Sequence, residues 1–140
     1  MPAHVTLIYP FLADVQLGGD VIAALREVLA TFSPFDVRFE AFARFDADPP
    51  VLYLEPDPAQ PFLDLTAAIA ARFPDHPPFG GIHDRITPHL TVAETADASA
   101  MRAAEESVAR HLPLAADAVS VHIMEHHPAD GWRTHTAIAL

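Results

Sequence analysis

The chain carries one four-residue pattern twice, as HVTL from position 4 and as HLTV from position 89. Both copies lie in apolar runs with strand character, and residues i and i+2 of a strand point to the same face. His4 and Thr6 are therefore expected to project together, as are His89 and Thr91, while the aliphatic residues between them turn into a core. Each strand would then present one imidazole and one hydroxyl side by side.

The order of elements after the pattern also repeats. Each copy is followed by a helical segment and two strand-like runs, and another helical segment connects the two halves. The apolar spacing and the prolines that end the helices carry this prediction. The predicted helices cover 20–32, 61–73 and 98–112, and the predicted strands cover 3–9, 35–45, 50–55, 88–93, 115–126 and 131–140.

Strands that run in hairpin-like pairs around helices favour an α+β fold over a doubly wound parallel sheet. We expect one domain, 1–140, with two lobes at roughly 1–57 and 86–140, joined by a helix and loop at 58–85. The two lobes would form a pseudo-twofold repeat of strand-helix-strand-strand, with antiparallel sheets around a central cleft.

The paired histidines indicate proton-transfer chemistry. A neutral imidazole accepts a proton and an imidazolium donates one, while two hydroxyls hold the non-bridging oxygens of a phosphodiester. Spacing alone also fits another interpretation, in which His4 and His89 are ordinary polar residues on solvent-facing strand positions.

The segments at 2–11 (PAHVTLIYPF) and 88–93 (PHLTVA) resemble the two signatures of the 2H phosphoesterases. Within that superfamily the chain is most similar to the branch described as 2'-5' RNA ligase-like or RNA 2',3'-cyclic phosphodiesterases, and the resemblance extends through 43–54. It implies a bilobal α+β fold and metal-independent phosphodiester chemistry without a cofactor, with His4 as proton donor and His89 as proton acceptor. Family members usually carry a strand before the first motif, whereas three residues precede His4 here.

Four further residues are candidates for substrate binding. Arg44 and Arg85 lie near a strand end and before the second motif, and a guanidinium is a permanently charged, planar donor for phosphate oxygens. Tyr9, directly after the first motif, is a candidate to stack on a base, as is Phe79. Trp132 is expected to pack in the core instead.

Composition restricts the partner. Nineteen acidic residues oppose eight arginines and no lysine, giving a net charge of −11. Long-range attraction to RNA requires the opposite balance, so a small nucleotide or a short RNA end is expected rather than a long duplex. No cysteine is present, and no run approaches the roughly 20 apolar residues of a membrane span. We expect a cytoplasmic monomer with no membrane partner.

Nine histidines raise the question of a metal. The pair at 122 and 126 would share one strand face, but four residues of a strand cover roughly 13 Å, too far for one ion. No metal site is predicted, and the 74–87 loop is either a lid over substrate or a connector. The roles of five histidines stay open: His76, His83, His122, His126 and His127.

Two other classes of function remain open. The chain is alternatively a non-catalytic nucleotide-binding module that has kept both motifs, or a metal-dependent hydrolase that uses the extra histidines. The sequence also leaves open which substrate is used: a tRNA-derived end, a 2'-5'-linked oligonucleotide, a cyclic mononucleotide or an ADP-ribose cyclic phosphate.

Overall fold

The computed structural model describes residues 3–13, 16–82 and 85–140. It contains long helices and antiparallel sheets, which confirms the predicted α+β class. The elements are α1 (Gly19–Leu29), β1 (Phe35–Phe45), β2 (Val51–Asp57), α2 (Gln60–Arg72), β3 (Leu90–Glu94), α3 (Ala98–Ala109), β4 (Leu114–Ala118), β5 (Ser120–His127) and β6 (Gly131–Ala139). A 3₁₀ turn, Pro78–Gly81, lies in the loop before the second motif.

The strands form two antiparallel sheets. One has the order β3-β2-β1-β4, and the other consists of β5 and β6. In the first half α1 is followed by two strands, as the sequence predicted, whereas in the second half α3 is followed by three strands, one more than predicted. Because β4 returns to pair with the first part of β1, with Phe35 opposite Ala118, the second half of the chain completes the sheet of the first.

The predicted strand at 3–9 is largely wrong. Only Val5 makes a ladder contact, an isolated antiparallel bridge to Leu90. The neighbouring carbonyl groups bond elsewhere: the Thr66 hydroxyl donates to the Leu7 carbonyl at 3.2 Å, and the Phe79 amide donates to the Tyr9 carbonyl at 2.9 Å. Since a helix side chain and a loop satisfy these groups, the segment needs no continuous strand partner.

The strand predicted at 115–126 is two strands in different sheets. β4 pairs with β1 and β5 pairs with β6, and the chain passes between them at Val119, which is 53% exposed. The sequence contains no glycine or proline at this position, so nothing local signals the break. The two pairing partners impose it.

The three helices lie within a few residues of their predicted ranges. α3 has a well-defined start, because the Asp97 carboxylate accepts hydrogen bonds from the Ser99 amide at 2.8 Å and the Ala100 amide at 3.1 Å. A side chain that caps the first turn in this way typically stabilises a helix by about 1 kcal/mol.

α2 links the two sheets through the core. Leu65 and Ile69 pack in a cluster with residues of α1 and of the β5–β6 sheet. Phe62, on the same helix, belongs to a second cluster with Val37 and Leu54 of the four-stranded sheet. One helix therefore helps to fix both sheets, and the cleft described next lies among these elements.

Candidate active site

The aliphatic residues of both motifs face the core. Val5 and Leu90 form the antiparallel bridge, and both pack, with Leu7 and Val92, against the cluster that contains Phe39. This confirms the predicted orientation of the aliphatic residues, because alternate residues of an extended segment point to opposite faces.

The polar residues of the motifs occupy the opposite face of this pair. The bridge pairs Val5 with Leu90 alone; continued by one residue in either direction, its antiparallel register sets the backbone of His4 opposite Thr91 and that of Thr6 opposite His89. In this register His4 and His89 hold diagonal positions on either side of the bridge. Pairing at one position is sufficient to bring two distant parts of the chain together.

Three of these four residues line one cleft. His4, Thr6 and His89 belong to the wall of a cavity of about 970 Å³, which aliphatic motif residues and core side chains also line, and which is large enough for a small ligand. Thr6 and His89 are half-buried, whereas His4 and Thr91 are exposed. Thr91 is not part of the cleft wall.

The His89 ring is held on three sides. Its Nδ1 lies 2.8 Å from the Thr87 carbonyl oxygen, which accepts only, so Nδ1 carries the proton of that hydrogen bond. The edges of aromatic rings meet at centroid distances of 4.9 Å to Phe45 and 5.4 Å to Tyr53. Nε2 is consequently the nitrogen left to exchange a proton with a substrate.

Phe45 and Tyr53 form a rigid support for this ring. They stack on each other at 4.2 Å with their planes 26° apart, and Tyr53 is 5% exposed. Burial, together with the nearby charge of Glu55, raises the pKa of the Tyr53 phenol, which stays neutral. Sequence analysis missed this role, although both residues lie in the hairpin strands next to β3 and are aromatic.

Of the other predicted substrate-binding residues, Tyr9 lines the cleft, whereas Arg44 and Arg85 do not. Tyr9 is 54% exposed and lines the cleft. Arg44 forms an ion pair with Glu105 on α3, with Nη2 and Oε2 2.5 Å apart, and it does not line the cleft. Arg85 is exposed and also lies outside the cleft wall.

The expectation that Trp132 packs in the core is wrong. Its side chain is 37% exposed and lines the cleft. Trp132 is the second residue of β6, directly after the hairpin turn, and its ring meets the edges of the Tyr9 and His126 rings. A tryptophan directly after a turn glycine, Gly131, is the signal that could have indicated an exposed position.

A third histidine also lines the cleft. The Nε2 atom of His122 lies 3.0 Å from the Ser120 hydroxyl, and its Nδ1 lies 3.5 Å from the Thr134 hydroxyl. Sequence analysis left the role of His122 open, and its position on β5 brings it to the same cavity as the motif histidines.

The remaining histidines are dispersed. His76 contacts the Phe11 ring at 6.2 Å, His126 contacts Trp132 at 5.2 Å, and His127 lies 3.4 Å from Asp130. His83 lies outside the described residues. Within 3–13, 16–82 and 85–140, no three His, Cys, Asp or Glu residues come close enough together to hold a metal ion.

None of the helices in the described ranges is long and apolar enough to cross a membrane.

Comparison with known proteins gives a family. A Bacillus pumilus (strain SAFR-032) protein named "Putative phosphoesterase" is 30% identical over 95 residues, which is 67% of this chain and 53% of that protein. The chain thus spans about half the length of this relative. Residues 1–130 match the model of the 2'-5' RNA ligase superfamily. The matched residues include both motifs, and the chain belongs to the 2'-5' RNA ligase superfamily.

Proposed function

We propose that this protein is a metal-independent phosphodiesterase that acts on 2',3'-cyclic phosphate or 2'-5'-linked nucleotide ends. The observation that carries the proposal is the placement of His4 and His89, from opposite halves of the chain, in the wall of one cleft. The superfamily match and the name of the Bacillus relative support a phosphoesterase activity.

His89 is suited to act as the general base. The Thr87 carbonyl accepts a hydrogen bond from Nδ1 at 2.8 Å, so the neutral ring has its lone pair on Nε2. In the forward reaction Nε2 takes a proton from water as the water oxygen bonds to phosphorus. Because the tautomer and the ring plane of His89 are already fixed, the reaction costs little orientational entropy at this residue.

His4 then acts as the general acid. As the bond from phosphorus to one ribose oxygen breaks, His4 gives its proton to that oxygen, which leaves as a hydroxyl. Thr6, which lies across from His89 and lines the cleft, donates a hydrogen bond to the phosphoryl oxygen where negative charge increases. The proton taken by His89 and the proton given by His4 balance over one turnover.

The experiment is a hydrolysis assay in excess chelator with four substrates, one from each class that the sequence left open. We expect turnover of at least one cyclic phosphate, a rate that falls on both sides of an optimum pH, and a loss of about 10²–10⁴-fold in the His4→Ala and His89→Ala proteins. His111→Ala, on an exposed site after α3, is the matched control and should keep the wild-type rate.

Two results would contradict the proposal. Binding of cyclic nucleotide without any turnover would favour a non-catalytic nucleotide-binding module. Activity that appears only when a divalent metal is restored after chelation would favour a metal-dependent hydrolase.

A further inference from the structure

Ser120, His122 and Thr134 form a hydrogen-bonded row on one face of the β5–β6 sheet, which we name the serine–histidine row. The Ser120 hydroxyl lies 3.0 Å from His122 Nε2, and His122 Nδ1 lies 3.5 Å from the Thr134 hydroxyl. Val121 and Ile123 pack in the core cluster, and alternate residues of a strand point to opposite faces. Ser120 and His122 therefore point away from the core, and both line the cleft.

The direction of these hydrogen bonds is fixed at one end of the row. The Thr134 hydroxyl donates to the Met124 sulfur at 3.4 Å, and a thioether sulfur only accepts. Because the Thr134 hydroxyl has one proton, its oxygen accepts from His122 Nδ1, which carries the proton of the neutral ring. The lone pair of His122 Nε2 then accepts the hydroxyl proton of Ser120.

This arrangement is that of an activated serine. A nucleophile within hydrogen-bond reach of a base, with the base oriented by a third group, is the pattern that enzymes use for covalent catalysis. Here Ser120 is the nucleophile, His122 is the base, and Thr134 holds the tautomer of the base.

Ser120 also has a backbone amide that the sheet does not use. The Leu140 amide donates to the Val119 carbonyl at 3.0 Å, so these two residues form a hydrogen-bonded pair. Such pairs alternate with pairs that are not hydrogen-bonded, and Ser120 lies opposite Ala139 at the next position. The Ser120 N–H therefore points away from β6, and β5 has no second partner strand in the described ranges. This amide is placed to donate to an oxyanion that forms beside its own hydroxyl.

The charges of the cleft indicate which substrate would reach this serine. No arginine is among the described residues that line the cleft, and the chain has no lysine. Glu94 and Asp117 do line it. Because like charges repel, an uncharged ester meets no electrostatic penalty at this wall, whereas a ligand with several negative charges does.

We propose that Ser120 is the nucleophile of a second activity in this protein, the hydrolysis of small uncharged carboxylic esters. His122 is its general base, and Thr134 is a positioning residue. This activity does not depend on the proposed phosphodiesterase chemistry, because neither motif histidine takes part in it.

The reaction proceeds in two balanced steps. The Ser120 oxygen bonds to the ester carbonyl carbon as its proton passes to His122 Nε2, and the carbonyl oxygen becomes an oxyanion that the Ser120 amide stabilises. The bond from this carbon to the alcohol oxygen then breaks, and His122 returns the proton to the alcohol. Water attacks the acyl-serine in the same way, releasing the carboxylic acid and restoring the Ser120 hydroxyl.

The first experiment treats the protein with a fluorophosphonate, a probe that reacts with activated serines. The Ser120 oxygen bonds to phosphorus as fluoride leaves, and peptide mapping by mass spectrometry locates the adduct. We expect the adduct on Ser120, with a rate that falls by about 10²-fold or more in His122→Ala. His111→Ala, on an exposed site after α3, is the matched control and should react at the wild-type rate. A protein without an adduct on Ser120 would overturn the proposal.

A cysteine variant tests the base directly. The chain has no cysteine, so Ser120→Cys introduces a single thiol. A neighbouring imidazole raises the thiolate fraction, so iodoacetamide should alkylate Ser120→Cys about 10-fold faster than Ser107→Cys, on an exposed site of α3. Adding His122→Ala should remove the difference, and equal rates without it would contradict the role of His122.

Turnover is measured with p-nitrophenyl acetate. We expect an initial burst of p-nitrophenol from the acyl-serine, and a kcat that falls by about 10²-fold or more in Ser120→Ala. Ser120→Ala/His122→Ala should be little slower, because the two residues act as a unit. Ser107→Ala is the control. A wild-type rate in Ser120→Ala would show that histidine alone hydrolyses the ester and would reject the nucleophile.

Thr134 is tested by a separate pair of variants. Thr134→Val keeps the shape of the side chain but removes the acceptor for His122 Nδ1, and it should lower kcat by about 10-fold with little change in KM. Thr134→Ser restores the hydroxyl and should restore the rate. A lower urea midpoint in Thr134→Val with an unchanged kcat would overturn its assignment as a positioning residue.

Discussion

Val5 and Leu90 are paired antiparallel, and this single bridge brings the two halves of the cleft into register. Because both side chains lie in the core, the polar residues on either side of each face the other way. A shift of one residue in this pairing would exchange the two faces, so that His4 and His89 would point where Val5 and Leu90 now point.

The two histidines should behave as a unit. If His4 and His89 transfer protons in the same step, the double variant His4→Ala/His89→Ala should be little slower than either single variant. The measurement is kcat/KM for the four proteins on one cyclic phosphate. Losses that multiply would instead show that the two side chains act independently.

The two motif threonines should differ in importance. Thr6 is half-buried in the cleft wall, whereas Thr91 is exposed and lies outside it. Thr6→Val should therefore reduce kcat by on the order of 10- to 100-fold through loss of a hydrogen bond to the phosphoryl group. Thr91→Val should have a smaller effect, and the reverse order would show that substrate lies on the Thr91 side.

Phe45 should act through the orientation of His89. Its ring meets the imidazole edge at 4.9 Å, and Phe45→Leu removes that contact while it keeps an apolar side chain. We expect kcat to fall by about 10-fold with little change in KM, since a small misplacement of a catalytic group is costly. Phe45→Tyr retains a ring and should restore the rate. If Phe45 were purely structural, Phe45→Leu would change the unfolding midpoint without lowering kcat relative to KM.

Glu125 should make the stability of the fold depend on pH in the acidic range. The hydrogen bond from Arg133 is the main cause that lowers the pKa of this carboxyl below its ordinary value of 4.5, and His135 adds a smaller contribution. A lowered folded-state pKa means that the carboxylate stabilises the fold above pH 4.5, and that this contribution is lost as the pH falls through the lower value.

Urea midpoints of wild type and Glu125→Gln test this dependence. The difference between the two proteins should be present at pH 7 and should shrink as the pH is lowered below 4.5. Glu27→Gln, on an exposed site of α1, is the control. A difference that stays constant with pH would show that the effect of Glu125 is not that of its charge.

Leu65 should be a major contributor to stability. It is 2% exposed and lies in the cluster that joins α2 to the β5–β6 sheet. Leu65→Ala should lower the free energy of unfolding by about 2–5 kcal/mol, as is usual for a leucine truncated in a packed core. Leu63→Ala, half-buried on the same helix, should cost less, and equal losses would contradict the burial assigned here.

Local pattern was sufficient for much of the fold. The spacing of apolar residues predicted three helices near their observed bounds, and the alternation in HVTL and HLTV predicted which side chains face the core. These features depend on neighbours along the chain, so the sequence contains them directly. The catalytic roles of His4 and His89 stay a prediction that follows from the same pattern.

Contacts between distant residues were decided only by the tertiary structure. The break at Val119, the exposure of Trp132, the Arg44–Glu105 ion pair and the aromatic support of His89 each depend on which element packs against which. The spacing of apolar residues and the short motifs do not indicate which distant element will be the partner. Whether an aromatic residue is buried in a core or lines a cleft is therefore settled by the surfaces that surround it, because burial is a property of the packed whole.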